Sequence, residues 1–150
     1  MMLQNLFLST YTNSIDKKGR ISVPANFRNM INKESQHLIA CPSIKNSCVE
    51  VYDDVRLETI SNAVKALPPY SAERDAFETV IMGEATMLSI DGEGRVILPK
   101  HFLQYAKINT KATFIGKGTT FEIWNPDELN AYMSKAKQIA KKNLSILKNT

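Results

Sequence analysis

Two hydrophobic periods alternate along this 150-residue chain, and their order is the same in each half. Residues 7–15 and 85–90 read as strands. The runs that follow the next turns, residues 20–23 and 95–98, are apolar and β-branched, and end at Pro24 and Pro99. Proline cannot donate to a sheet ladder, so each run closes there. Residues 25–31 and 100–106 then carry apolar side chains at the spacing of one or two helical turns, with Phe27 and Phe102 in matching places. Two further strands follow in each half, at 38–41 with 48–52 and at 112–115 with 120–124.

Each half finishes on a helix start. Asn125-Pro126-Asp127-Glu128 combines a capping side chain, proline at the first helical position and acids in the first turn, and Asp53-Asp54 plays the same role earlier. Between the halves Pro68-Pro69 interrupts the chain. Ser71 then caps a helix expected to reach about Met82, with Phe77, Val80 and Ile81 on one face. The last helix is expected to pass Met133, with Leu129, Tyr132, Met133 and Ala136 as its apolar stripe, and to fray beyond about Lys141.

The bend between the first two strands of each half is itself a repeat. Asp16-Lys17-Lys18-Gly19-Arg20-Ile21-Ser22-Val23-Pro24 returns 75 residues later as Asp91-Gly92-Glu93-Gly94-Arg95-Val96-Ile97-Leu98-Pro99. Aspartate accepts from amides two or three residues ahead, while glycine takes the positive φ of a tight reversal. Val49-Glu50-Val51-Tyr52 matches Phe121-Glu122-Ile123-Trp124 at an offset of 72, because the second hairpin loop is three residues shorter. The expected organisation is a first repeat at 7–54, connecting helices at 55–83, a second repeat at 84–127, and a C-terminal helix with a basic tail at 128–150.

Composition adds limits rather than detail. With 43% apolar and 23% charged residues the chain is ordinary globular material of single-domain size. Residues 1–8 show no basic leader or cleavage signal and no long uncharged apolar run follows, so a soluble, unexported protein is expected. Cys41 and Cys48 stand among strand residues, where free cysteine acts as a small buried hydrophobe. Only His37 and His101 could join them, so neither a metal nor a disulfide is expected.

Net charge is +4, unevenly spread. Residues 1–34 hold Lys17, Lys18, Arg20, Arg28 and Lys33 against Asp16 and Glu34, and residues 131–150 hold five lysines and no acid. The middle is therefore acidic. Basic ends point to a polyanion-facing side, with a solvated lysine-rich tail as the plainer reading of the C-terminus.

No nucleophile, base and orienting group are spaced to form an enzyme site. Gly92-Glu93-Gly94 lacks the Gly-Lys-Ser/Thr of a phosphate loop and opens a strand instead of a helix. Asp16 with Arg20 and Asp91 with Arg95 can each bridge their own bend, and the second pair reads chiefly as that, because Gly92 and Glu93 leave its turn neutral to acidic. The first turn differs, since Lys17 and Lys18 add two cations beside Arg20. Lysine neutralises phosphate, and arginine grips phosphate or the O6/N7 edge of guanine with two hydrogen bonds.

Two Asp-x-x-Gly-Arg turns at half-chain spacing, with Pro24 and Pro99 and matching strand ends, resemble the MraZ family of bacterial regulators within the AbrB-like (SpoVT-AbrB domain) superfamily. The resemblance spans nearly the whole chain. It implies an α+β, mainly β fold in which two swapped-hairpin repeats interlock into a double-split β-barrel with flanking helices. It further implies a ring-shaped homo-oligomer that regulates transcription without enzymatic activity, usually as a repressor of its own division and cell-wall operon. Double-stranded promoter DNA carrying short G-rich direct repeats is the implied partner, in a cytoplasmic, nucleoid-associated setting with no cofactor, membrane or small-molecule substrate. The family's DNA-binding arginine falls on Arg20, presented by Asp16 and Gly19, while Asp91, Gly94 and Arg95 match as turn architecture. Lys17, Lys18 and Arg28 join Arg20 as candidate DNA contacts from charge and position. The alternative is a non-catalytic, antitoxin-like interaction module that works through its C-terminal helix.

Overall fold

The computed structural model describes residues 6–31 and 37–148. Met1 to Asn5, and Lys33 and Glu34 of the basic N-terminal segment, lie outside the described residues. The first half runs through β1 (Thr10–Ser14), β2 (Arg20–Ser22), α1 (Ala25–Met30), β3 (Leu38–Pro42), β4 (Val49–Tyr52) and α2 (Asp54–Lys65). A connecting helix α3 (Ala72–Phe77) widens into a π-helical turn (Glu78–Met82). The second half repeats the order as β5 (Thr86–Leu88), β6 (Arg95–Ile97), α4 (Lys100–Tyr105), β7 (Lys111–Gly116), β8 (Phe121–Trp124) and α5 (Pro126–Lys142).

Six strands form one antiparallel sheet in the order β1-β7-β8-β4-β3-β5, and β2 pairs with β6 in a separate two-stranded ribbon. Reversing that order exchanges the halves, so a pseudo-twofold axis passes between β4 and β8. Glu50 stands opposite Glu122 on those central strands. The fold is mixed α+β, mainly sheet, with flanking helices. Among the described residues no ladder joins β1 to β5, so the sheet is open and not the closed barrel of the expected fold.

The local signals act as read. Asp53 accepts from Arg56 N at 2.9 Å to cap α2, and Asn125 accepts from Asp127 N at 2.8 Å to cap α5, with Pro126 at its start. Ser71 accepts from Arg74 N at 3.2 Å to cap α3. The first strand is shorter than residues 7–15 because Ser9 takes φ 79°, which breaks the pleat and leaves Phe7 in an isolated bridge to Gly118. Gly116 has no Cβ to block this crossing, since one built there would collide with the Phe7 carbonyl. Helical turns also continue past Lys142 through Leu144–Leu147, beyond the expected fraying point.

Three layers result. One face of the sheet, with Leu38, Ala40, Val49, Val51, Phe114, Phe121 and Ile123, meets Ile21, Val23 and Phe27 of the first half and Val96, Leu98 and Phe102 of the second. Phe27 and Phe102 are both fully buried, as their matched positions require. The opposite face packs Ile39, Cys41 and Tyr52 against Leu57 and Ile60 of α2, and Cys48 and Trp124 against Leu129 and Tyr132 of α5. Both cysteines are buried, and burial raises the pKa of each thiol. The expected α5 stripe is seated, with Leu129 buried and Tyr132, Met133 and Ala136 half-buried. The Phe77, Val80 and Ile81 face is not buried: Phe77 and Val80 are exposed, since the widened turn offers little besides Ile81 to the body. No helix among the described residues is long and apolar enough to cross a membrane.

Candidate nucleic-acid interface

The two repeated turns share one backbone design. Asp16 Oδ1 accepts from Lys18 N and Arg20 N, each at 2.9 Å, and Gly19 N donates to Asp16 O at 3.0 Å. Asp91 Oδ1 likewise accepts from Glu93 N and Arg95 N at 2.9 Å, and Gly94 N donates to Asp91 O at 3.0 Å. Gly19 and Gly94 take φ 82° and 79°, the left-handed region that glycine enters freely. The amide of Arg20, and then its side chain, hold the Asp16 carboxyl below its ordinary pKa; for Asp91 the Arg95 amide is the chief cause. Each aspartate therefore shapes its turn as an ionised acceptor.

Each turn is fastened to the other half. Leu98 N donates to Gly19 O at 2.8 Å, and Val23 N donates to Gly94 O at 2.9 Å. The sequence-level hairpin is split accordingly: β1 pairs with β7, whereas β2 leaves it after the single Ile15–Ile21 bridge and pairs with β6. In that ribbon Arg20 faces Ile97, Ile21 faces Val96 and Ser22 faces Arg95. Ile21 and Val96 are 1% and 2% exposed, so alternation turns Arg20, Ser22, Arg95 and Ile97 outward together. Arg20 and Arg95 are then diagonal neighbours, about 7–8 Å apart along the backbone.

Charge distinguishes the turns. Arg20 Nε lies 2.6 Å from Asp16 Oδ2, and Lys17 and Lys18 beside it are exposed and free of carboxylate partners among the described residues. Arg95 instead engages two acids, Asp91 at 3.1 Å and Glu93 at 3.6 Å. Three cations against one acid leave the first turn at net +2, and one cation against two acids leaves the second at −1.

Arg28 does not join the first cluster. Its guanidinium lies over the second turn, in the space that a Cβ on Gly94 would occupy. Lys17 and Lys18 instead face α4, where Lys100, Gln104, Lys107 and Asn109 line an open cleft of about 620 Å³ with them. Sequence reasoning passed over Lys100 and Lys107, yet a signal existed, because the repeat-related positions are Ala25 and Asn32. Lys135, Lys137, Lys141 and Lys142 lie on α5, which is seated on the opposite sheet face, so the two basic segments belong to different layers. Among the described residues no group of three or more His, Cys, Asp or Glu is placed to hold a metal ion.

Fold and site together define a duplicated α+β protein that displays an arginine-bearing ribbon beside one cationic turn. The chain belongs to the MraZ family. The family pattern described as "MraZ protein, putative antitoxin-like" matches residues 6–79 and again 81–146. The protein named transcriptional regulator MraZ from Rickettsia africae (strain ESF-5) is 49% identical over 146 residues, covering 97% of this chain and 98% of that protein. Its namesake from Rickettsia bellii (strain OSU 85-389) is 49% identical over 148 residues, 97% of this chain and 99% of that one. The one from Rickettsia typhi (strain ATCC VR-144 / Wilmington) is 48% identical over 146 residues, with 97% and 98% covered.

Proposed function

We propose that this chain is a sequence-specific, non-enzymatic DNA-binding regulator of transcription that represses its own division and cell-wall operon. It would act in the cytoplasm at the nucleoid, as a ring-shaped oligomer on short G-rich direct repeats. The naming of its relatives as transcriptional regulators supports the general reading. The observation that carries the finer one is the outward face of the β2–β6 ribbon, with Arg20 at the edge of a net-positive turn. A major groove about 12 Å wide admits a two-stranded ribbon, and arginine pairs with guanine O6 and N7 there.

Arg20 is assigned to base contact and Lys17 and Lys18 to phosphate. Arg28 extends positive charge to the far turn. Asp16, Gly19, Asp91, Gly94 and Arg95 are assigned to turn architecture, Arg95 because two carboxylates already engage it. The crossed pairings β1·β7 and β3·β5, each joining one half to the other, support a reading of the halves as interlocked swapped-hairpin repeats. One turn makes few contacts, so a closed ring of turns supplies affinity through effective concentration.

The test is fluorescence anisotropy with duplex from immediately upstream of the gene against a scrambled duplex, alongside light scattering. A preference for the upstream duplex that needs at least two boxes is expected. A monomer without such preference refutes the proposal. A second reading, an antitoxin-like module that holds a protein partner, is favoured by the family description and by Leu144, Ile146 and Leu147, which are 66%, 75% and 62% exposed beyond α5. Pull-down from lysate with and without nuclease separates the two, since partners held through DNA are lost on digestion.

A further inference from the structure

The pseudo-twofold axis gives an internal control for every surface residue of the first turn. Residues that merely build the repeat should recur at the related position. Around the first turn the lining cations are Lys17, Lys18, Lys100 and Lys107, whereas the related positions hold Gly92, Glu93, Ala25 and Asn32. All four lysines are absent from the repeat-related set, so the fold does not require them.

Two features of the α4 lysines bear on their role. Lys100 is exposed and has no carboxylate partner among the described residues. Lys107 closes α4 with φ 58°, where Lys107 N donates to Gln104 O at 3.2 Å and Ile108 N donates to Leu103 O at 2.9 Å. That is the position after a helix where glycine or asparagine is favoured, because a Cβ is strained there. A lysine occupies a site whose backbone disfavours it. Its ammonium is largely exposed and lies 3.5 Å from Glu128, a long and solvated contact.

We propose that Lys100 and Lys107 are phosphate contacts, so that α4 of the second half completes the DNA surface of the first turn. The inference rests on the DNA-binding reading above. Lys100 opens the six-residue α4 and Lys107 follows its last turn, so one cation stands at each end of the helix and both line the same cleft. Lys17 and Lys18 stand across the cleft, so one duplex strand running past the ribbon meets cations from both halves.

The experiment measures affinity for the upstream duplex and for a scrambled duplex as functions of salt. Lys100→Gln with Lys107→Gln is compared with wild type, with Lys135→Gln/Lys137→Gln as an equal charge change on α5, and with Lys107→Gly. Each released phosphate contact should lower the slope of log K against log salt by about 0.9, hence about 1.8 for the pair per engaged turn. At 0.1 M salt this corresponds to roughly 60-fold weaker binding. The ratio between upstream and scrambled duplex should stay unchanged, and the α5 pair should bind as wild type. Lys107→Gly should bind more weakly while melting no lower, a combination that a structural lysine does not produce. An unchanged slope in the α4 pair, or an equal fall in the α5 pair, overturns the inference while leaving the DNA-binding reading intact. Failure of the wild type to bind DNA overturns both.

Discussion

The turns at 16–20 and 91–95 have the same hydrogen bonds, the same positive-φ glycine and the same fastening to the opposite half, yet differ by three units of charge. Shared geometry is therefore the requirement of the ribbon, and the unshared charge is free to serve a partner. Arginine is the instructive case. Arg20 and Arg95 are diagonal on one face, but Arg95 is held by two carboxylates and Arg20 by one.

The largest expected effect breaks that pair apart. Arg20→Ala should lose about 1–3 kcal/mol of specific DNA affinity per engaged turn, compounding with the number of turns, with assembly unchanged. Arg95→Ala should leave most of that affinity and lower the melting temperature instead. Equal losses of affinity in anisotropy titrations would mean that both arginines read DNA and that the charge contrast is incidental.

The glycines sharpen the comparison at the level of stability. A Cβ on Gly19 would lie 2.5 Å from the Leu98 carbonyl oxygen, part of the backbone that holds the ribbon together. Gly19→Ala is expected to destabilise by about 2–4 kcal/mol, the left-handed strain plus displacement of β6. At Gly94 the obstacle is the end of the Arg28 side chain, which can swing aside. Gly94→Ala should then show little beyond the conformational penalty of about 1–2 kcal/mol. Urea titration of both variants measures the difference, and a larger loss at Gly94 would show that Arg28 is a fixed strut.

The smallest effect concerns acid. Both aspartates titrate below the ordinary carboxylate value of 3.8 in the folded chain. A depressed folded pKa contributes stability that is complete above the unfolded value and disappears as pH falls through the folded one. Asp16→Asn and Asp91→Asn should each flatten the loss of stability below about pH 4 relative to wild type. Melting curves between pH 2 and about 6 report it, and an unchanged acid limb would remove the aspartates from the turn's energetics.

Much of this architecture was written in local signals. Asp53, Ser71 and Asn125 cap the helices that their sequence context announced, and Phe27 and Phe102 mark the buried faces of α1 and α4. Those features depend on residues within a few positions of one another. Less legible was the fate of β1 and β2, which looked like one hairpin and belong to different sheets, because each finds its ladder partner in the other half. Arg28, grouped by charge with the first turn, stands over the second for the same reason.

The chain's own order of residues settled that a turn would be built twice, that aspartate and glycine would shape it, and that one copy would carry surplus positive charge. Those are properties of neighbours in sequence. Folding decided which strands would pair across the pseudo-axis, that the two arginines would share an outward face, and that lysines of the second half, Lys100 and Lys107, would line the cleft of the first turn. Long-range pairing brings such groups together, and no local period records it.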